Sequence, residues 1–319
     1  MSDVGTSDLI LHHYAGSPFS EKVRLVLGYK GLAWHSVTVP VVCPKPDVVA
    51  LTGGYRRTPF LQIGADIYCD SALMCRVIEA RAPVPSLYPR EAGGMAEILA
   101  QWADSDLFWA AIPYTMQPAG AAAIFAGAPP QVAQAFAADR AAMTAGMYRP
   151  SARDATAALQ TYLGWLERML AGGRAFLCGA APSIADFAVA QSLWFIRRAP
   201  PVAGILAPFE RLAAWYERVA AFGHGRSSPL ASAEAIALAR AATPESLAPV
   251  EVLPGQGFEA GQAVQVAATD YATDPVAGLL VGLSDEQITL RREDERAGIV
   301  HVHFPRIGYA LKKQETTTS

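Results

Sequence analysis

Apolar and polar positions in the first part of the chain fall into short segments of different periodicity. Leu9–His13 is a short apolar run, and Pro18–Tyr29 places Val23 and Leu27 on one helical face. Comparable patterns predict three further strands and a second helix, namely Trp34–Val42, Pro59–Ile63, Ala65–Tyr68 and Asp70–Arg81. Strands and helices that alternate in this way predict an α/β domain over 1–85.

A helical pattern replaces this alternation after a proline-rich linker at Pro83–Pro89. Apolar residues recur at helical spacing through 90–243, and glycine or proline stands at each break. The predicted helices are 91–117, 130–145, 151–171, 184–198, 208–222 and 230–242. Ser183 and Asp186 form a capping-box pattern at the start of the fourth helix. We therefore expect an all-helical bundle as the second domain.

Short β-rich segments return after a second linker, Thr243–Pro254. Turn residues separate four such runs, which are Gly261–Ala268, Val276–Leu283, Gln287–Arg292 and Ile299–Phe304. They predict a small, β-barrel-like domain over 252–319. A module of this size buries little surface alone, so we expect it to pack on the helical domain.

Composition and charge argue against several classes of protein. The 319 residues are 52% hydrophobic and 17% charged, with 26 Lys and Arg against 29 Asp and Glu, so no basic footprint for nucleic acid is present. Prolines interrupt the uncharged stretch Leu107–Ala138, and the first residues are acidic, which predicts neither a membrane span nor a signal peptide. Four cysteines without metal or redox spacing favour a reduced, cytoplasmic protein.

The first candidate for chemistry is the turn that joins the first strand to the first helix. Ser17 precedes Pro18 there, and Ser20 follows one turn later. A helix N-terminus offers free N–H groups and the positive end of the helix dipole, which stabilise an anion such as a thiolate. The alternative is that Ser17 only caps the helix.

A second helix N-terminus carries an acidic residue and a hydroxyl, Asp70 and Ser71. The helix end favours a carboxylate, while the aspartate favours an ammonium group. A ligand with both groups, such as the head of an α-amino acid, suits this pair. Here too, helix capping is the alternative.

Three segments together resemble the cytosolic glutathione transferases. SPFSEKVRLVLGYKGL is similar to the first turn and helix of that family, RRTPFLQIGADIYCDSALM to its Val-Pro…Glu-Ser segment, and SIADFAVAQSLWFI to its capping box and buried helix. The resemblance covers roughly 8–240. It implies a thioredoxin-like N-terminal domain followed by an all-helical domain.

The resemblance implies a catalytic role for Ser17, which stands where the serine-type classes have the serine that activates the glutathione thiol. Thr58 precedes the proline that is cis in the family, here Pro59. The backbone of Thr58 would pair with the cysteinyl part of glutathione.

The resemblance also implies three contacts with the two ends of glutathione. Asp70 and Ser71 match the acidic-serine pair that holds the γ-glutamyl group, and Arg57 stands where a Lys or Gln often contacts the glycyl end. Asp70 replaces the commoner glutamate and has one methylene less. Residues 246–319 have no counterpart in the ordinary family.

Two further groups of residues are weaker candidates. Trp102, Asp106 and Trp109 are spaced so that they share a face of the first long helix, which in the resembling fold lines the electrophile pocket. Plain core packing is the alternative. His301 and His303 lie on one face of a strand, but no third ligand is indicated, so we expect no metal.

The function that the resemblance implies is transfer of glutathione, as a co-substrate, to a small apolar electrophile, in a detoxification role. The Ser17 hydroxyl would favour the thiolate, which then attacks an electrophilic carbon in the helical domain. A homodimer is also expected, without nucleic acid or membrane as a partner.

Two other functions remain open from the sequence. The fold could serve as a non-catalytic scaffold that binds a partner through the extra β-rich domain. The chain could also be a glutathione-dependent reductase or isomerase. The absence of cysteine from the turn Ser17–Ser20 argues against chemistry through a protein thiol there.

Overall fold

The computed structural model describes residues 4–246 and 251–314. The α/β order predicted for the first part of the chain is confirmed. It consists of β1 (Ile10–His13), α1 (Pro18–Tyr29), β2 (Ala33–Thr38), α2 (Pro46–Thr52), β3 (Phe60–Ile63), β4 (Asp66–Cys69) and α3 (Ser71–Arg81). β1 runs parallel to β2 and antiparallel to β3, and β3 and β4 form the predicted hairpin at Gly64.

Helix α2 is the element of this domain that the sequence pattern did not predict. The predicted strand Trp34–Val42 is followed by a proline-rich segment with Pro44 and Pro46, for which the sequence pattern predicts no helix. Pro46 is instead the first residue of α2, where its fixed φ suits a helix and its missing N–H costs no hydrogen bond.

The predicted helical region forms seven α-helices. They are α4 (Met95–Trp102), α5 (Phe108–Thr115), α6 (Pro118–Ile124), α7 (Pro130–Met143), α8 (Ala152–Met169), α9 (Ile184–Arg197) and α10 (Glu210–Ala220). A π-helical turn, Ala103–Leu107, joins α4 to α5. The predicted capping box is confirmed, because the Ser183 N–H donates to Asp186 Oδ2 over 2.8 Å. Asp186 is fully buried and also accepts from Trp215 Nε1, which ties α9 to α10.

The chain then returns to the first domain. β5 (Arg226–Pro229) pairs in parallel with β2. The helix predicted at 230–242 forms as α11 (Ser232–Ala241), but the prediction that it belongs to the bundle is wrong. Ile236 and Ala239 of α11 pack into a core shared with the sheet strands.

The predicted C-terminal strands are present, and one more follows them. β6 (Ala263–Ala268), β7 (Val276–Leu283), β8 (Gln287–Asp294), β9 (Gly298–Pro305) and β10 (Tyr309–Lys313) are antiparallel neighbours in the order β10-β6-β7-β8-β9. We call residues 251–314 the C-terminal module. Within the described ranges β10 does not pair with β9, so the closure of a barrel is not confirmed.

The C-terminal module extends the sheet of the first domain. β9 pairs in parallel with β4, with Ile67 opposite Val302, and the result is one ten-stranded sheet. The module therefore packs mainly on the first domain. The expected packing on the helical domain is seen at the loop between β6 and β7, where Tyr271 meets Trp109 of α5 and the Ala272 N–H donates to the Met143 carbonyl of α7. An edge strand such as β4 presents unpaired N–H and C=O groups, and β9 satisfies them.

The apolar core lies on both faces of this sheet. One cluster joins α1 and α3 to the helical bundle, with Phe187 and Trp215 fully buried. The other contains residues of the first domain and of the C-terminal module, such as Phe60, Ile67 and Phe304. The predicted domain limits stay predictions, and residues 247–250 of the second linker and the final 315–319 lie outside the described residues. No helix within the described ranges has the length and apolar character to cross a membrane.

Candidate active site

Ser17 lies at the N-terminus of α1, between β1 and the first helical turn. Its Oγ accepts from the Ser20 N–H over 3.2 Å, so it caps the helix as the plain interpretation expects. The same Oγ lies 3.4 Å from the Thr58 carbonyl oxygen, to which the hydroxyl donates. Ser17 is buried. Capping therefore leaves the hydroxyl proton directed toward the turn before β3.

That turn has the backbone conformation that the resemblance implied, since the Thr58–Pro59 peptide bond is cis. The Thr58 hydroxyl lies 3.4 Å from the ammonium of Lys45, at the start of α2. Burial, aided by the nearby Arg140 charge, lowers the pKa of Lys45 to about 8. Sequence analysis missed Lys45. Its only signal was a cation among the prolines that precede α2.

Asp70 and Ser71 occupy the N-terminus of α3, as predicted. Asp70 has φ +76°, a conformation that costs a non-glycine residue roughly 1–3 kcal/mol and is found most often at functional sites. Its carboxylate caps the helix by accepting from the Ala72 N–H over 2.9 Å. The Ser71 hydroxyl accepts from Lys22 Nζ over 3.4 Å.

Lys22 links this corner of the site to the helical bundle. It is fully buried and forms an ion pair with Asp104 over 2.5 Å, while Gln191 donates to the same carboxylate over 2.7 Å. Burial raises the pKa of Asp104, and the Lys22 charge acts against that increase. Sequence analysis missed both ions. Lys22 does lie four residues before Val26 on the buried face of α1, where a cation needs a partner.

The C-terminal module covers two of the predicted glutathione contacts. The Arg57 guanidinium donates to Asp270 Oδ1 and to the Tyr271 carbonyl, and its Cζ lies 3.9 Å from the centre of the Tyr271 ring. The Tyr309 hydroxyl donates to Asp70 Oδ2 over 3.1 Å. Burial raises the pKa of Tyr271 to about 12, so this residue is neutral at physiological pH.

The structure does not bring Trp102, Asp106 and Trp109 to one face. The Trp109 ring meets the Tyr271 ring edge-on at 5.2 Å, but Trp102 packs against Tyr162 of α8. Asp106 is exposed and accepts from the Ser105 hydroxyl over 3.2 Å. The π-helical turn adds residues between the two tryptophans, so regular helical spacing does not hold across it.

His303, one of the two histidines on this face of β9, lies in a buried polar network. His303 is fully buried, and its Nε2 lies 2.7 Å from Asp66 Oδ1 while its Nδ1 lies 3.0 Å from the Thr289 hydroxyl. This network joins β9 to β4. Across residues 4–246 and 251–314, no group of three or more His, Cys, Asp or Glu side chains is arranged to hold a metal ion.

Comparisons with known proteins identify the family. Sequence profiles of the glutathione S-transferase N-terminal and C-terminal domains match residues 11–86 and 122–218. A solved GST-like protein from Pseudomonas syringae is 43% identical over 97% of this chain and 100% of its own, with a TM-score of 0.80. The chain belongs to the glutathione S-transferase family.

A more distant solved structure shares the fold of the first two domains, and one curated protein matches a shorter part of the chain. A solved glutathione S-transferase III in its apo form is 23% identical over 67% of this chain and 92% of its own, with a TM-score of 0.52. A curated pyrimidodiazepine synthase from Drosophila melanogaster is 28% identical over 96 residues, which is 28% of this chain and 39% of that protein. The match to the Pseudomonas protein extends through the C-terminal module, which the family profiles do not include.

Proposed function

We propose that this chain is a glutathione-dependent transferase in which Ser17 stabilises the glutathione thiolate. The observation that carries the proposal is the position of the Ser17 hydroxyl, 3.4 Å from the Thr58 carbonyl at the N-terminus of α1. When a thiol binds beside Thr58, the Ser17 hydroxyl can donate its hydrogen bond to the sulfur in place of the Thr58 carbonyl. The positive end of the α1 dipole acts on the same sulfur.

The chemical benefit follows from the acidity of a thiol. A free thiol has a pKa of about 8.5, and a decrease of about two units changes a minor thiolate population at neutral pH into the major one. The thiolate is the nucleophile and forms a carbon–sulfur bond with an electrophilic carbon held near Trp109. The leaving group, which is halide for an aromatic halide, departs with the electron pair of the broken bond. Holding both reactants in place supplies much of the remaining acceleration.

The test is the pH dependence of glutathione conjugation to a generic aromatic halide. Ser17→Ala should raise the apparent pKa of bound glutathione and lower the rate most at low pH. Ser20→Ala is the matched control, because Ser20 is also buried at this helix end and its Oγ has no hydrogen-bond partner within the described part of the chain. A wild-type rate and a wild-type pH midpoint in Ser17→Ala would show that this serine is only a helix cap.

A binding function without turnover is the second candidate. It is favoured by the contacts of Asp70 with Tyr309 and of Arg57 with Asp270, because these contacts engage two side chains that the family resemblance assigns to glutathione binding. Retention on immobilised glutathione, with no turnover across a broad panel of electrophiles, would support it.

We also propose a homodimer with the subunits related by a two-fold axis, as the family resemblance implies. Met95 and Ile98 support this proposal, because they expose apolar side chains three residues apart on α4. Ile98→Lys should lower the mass measured by light scattering from dimer to monomer, while Val132→Lys, on the exposed face of α7, should not. A wild-type mass near 34 kDa at micromolar concentration would contradict the proposal.

A cytoplasmic location and a detoxification role complete the proposed function, as the family resemblance implies.

A further inference from the structure

The loop between β6 and β7 lies over Arg57 and is held from both sides. The Thr269 N–H donates to the Gly308 carbonyl over 3.0 Å, and the Ala272 N–H donates to the Met143 carbonyl at the end of α7 over 2.7 Å. Ala272 has φ +45°, which is unfavourable for alanine. The loop is therefore fixed in one conformation by its neighbours.

This loop supplies the groups that Arg57 binds. Asp270 provides a carboxylate oxygen and Tyr271 a carbonyl oxygen, while the Tyr271 ring stacks on the guanidinium. The Arg57 side chain is 11% exposed, whereas that of Asp270 is 49% exposed. The Asp270 carboxylate therefore neutralises the Arg57 charge through Nη2, while Nε of the same guanidinium has no hydrogen-bond partner within the described residues.

We propose that Asp270 is a specificity-determining residue of the glutathione site. Its carboxylate forms an ion pair with the Arg57 guanidinium, which would otherwise bind the carboxylate at the glycyl end of the thiol ligand. The inference rests on the proposed function. With Arg57 paired in this way, the site binds thiols by their α-amino acid head and their sulfur. It tolerates a neutral group, such as an ester, in place of the glycyl carboxylate.

The probes are glutathione and its glycyl monoethyl ester, with dissociation constants measured by titration calorimetry on the full-length protein. Wild type should bind the two compounds with a ratio near one. Asp270→Ala should strengthen glutathione binding relative to the ester by about two- to fivefold, the range expected for a partly exposed ion pair.

Two further variants make the result specific. Asp274→Ala is the matched control, since Asp274 lies in the same loop, is 50% exposed and faces Arg56 at 3.9 Å. It should leave the ratio near one. Adding Arg57→Ala to Asp270→Ala should abolish the gain, because the released cation is then absent.

Three results would overturn the inference. An unchanged ratio near one in Asp270→Ala, with both compounds bound, would mean that the released Arg57 does not reach the glycyl end. A wild-type preference for glutathione above fivefold would mean that Arg57 is already available. Failure of every variant to bind either compound would overturn the proposed function itself, and this inference with it.

Discussion

Asp70 combines a strained backbone, a capping role and a contact with Tyr309 of the C-terminal module. These contacts place its carboxylate rigidly at the N-terminus of α3. A carboxylate fixed in this way at a helix end is suited to binding the head group of a ligand with the same strength in the ground state and in the transition state, which is called uniform binding. Helix capping alone does not require the Tyr309 contact.

We expect Asp70→Asn and Ser71→Ala to weaken glutathione binding more than they slow saturated turnover. Loss of uniform binding raises the Michaelis constant and spares the chemical step. A charge-assisted hydrogen bond is worth roughly 1.5–3 kcal/mol, or about 10- to 150-fold in affinity. Ser151→Ala is the control, because Ser151 caps α8 of the helical bundle, where its Oγ accepts from the Asp154 N–H. Unchanged affinity in both site variants would leave them as helix caps only.

His12 and His13 predict a loss of stability in mild acid. Burial lowers the pKa of each from 6.5 to about 4, and the Arg24 charge contributes at His13. Between pH 6.5 and 4 the unfolded chain binds these protons and the folded chain does not. The free energy of unfolding therefore falls as pH decreases, by up to about 1.4 kcal/mol per pH unit for each histidine.

Urea unfolding between pH 7 and pH 5 measures this slope. His12→Gln should remove the contribution of one histidine and so flatten the curve. A stability that is constant across this interval in wild type would contradict the lowered pKa values.

At the scale of the elements, α1 depends on close contact with the turn that follows α10. A Cβ built on Gly28 of α1 lies 2.0 Å from the Gly223 carbonyl oxygen. This glycine is therefore required by packing, although its backbone is helical.

Gly28→Ala should lower the free energy of unfolding by about 3 kcal/mol or more, because backbone and not a flexible side chain has to move. Gly164→Ala in α8 is the matched control, since the added methyl meets only the Arg168 side chain at 3.6 Å. That variant should gain up to about 1 kcal/mol of stability. Equal stability of the two variants by urea unfolding would show that α1 can shift away from the turn.

At the scale of the whole molecule, the sheet makes the C-terminal module part of the first domain. Val302 of β9 is fully buried opposite Ile67 of β4. All six tryptophans lie at or before Trp215, so their fluorescence reports unfolding outside the module.

Val302→Asp should lower the unfolding midpoint that tryptophan fluorescence records, because an unpaired buried charge costs roughly 3–5 kcal/mol and both domains share the damaged core. Ile299→Asp, at an exposed position of the same strand, should shift it little. If Val302→Asp left the tryptophan transition in place, the module would be an independent appendage.

The sequence by itself determined most of the elements, although not, for example, α2 or β10, and the two helix N-termini that carry Ser17 and Asp70–Ser71. Strand periodicity, the capping box at Ser183 and the prolines are local signals, because each depends on residues only a few positions apart. The family resemblance added the cis bond before Pro59, which periodicity alone does not predict.

Only the tertiary structure decided which groups face the site. Arg57 and Asp270 are 213 positions apart, and the paired residues of β4 and β9, such as Ile67 and Val302, are 235 positions apart. Their pairing depends on which sheet edge is open and which apolar face remains uncovered. The alternating pattern of the module shows that it has an apolar face to bury, but not which surface covers that face. Pairing of β9 with the open edge of β4 places the face against the core of the first domain.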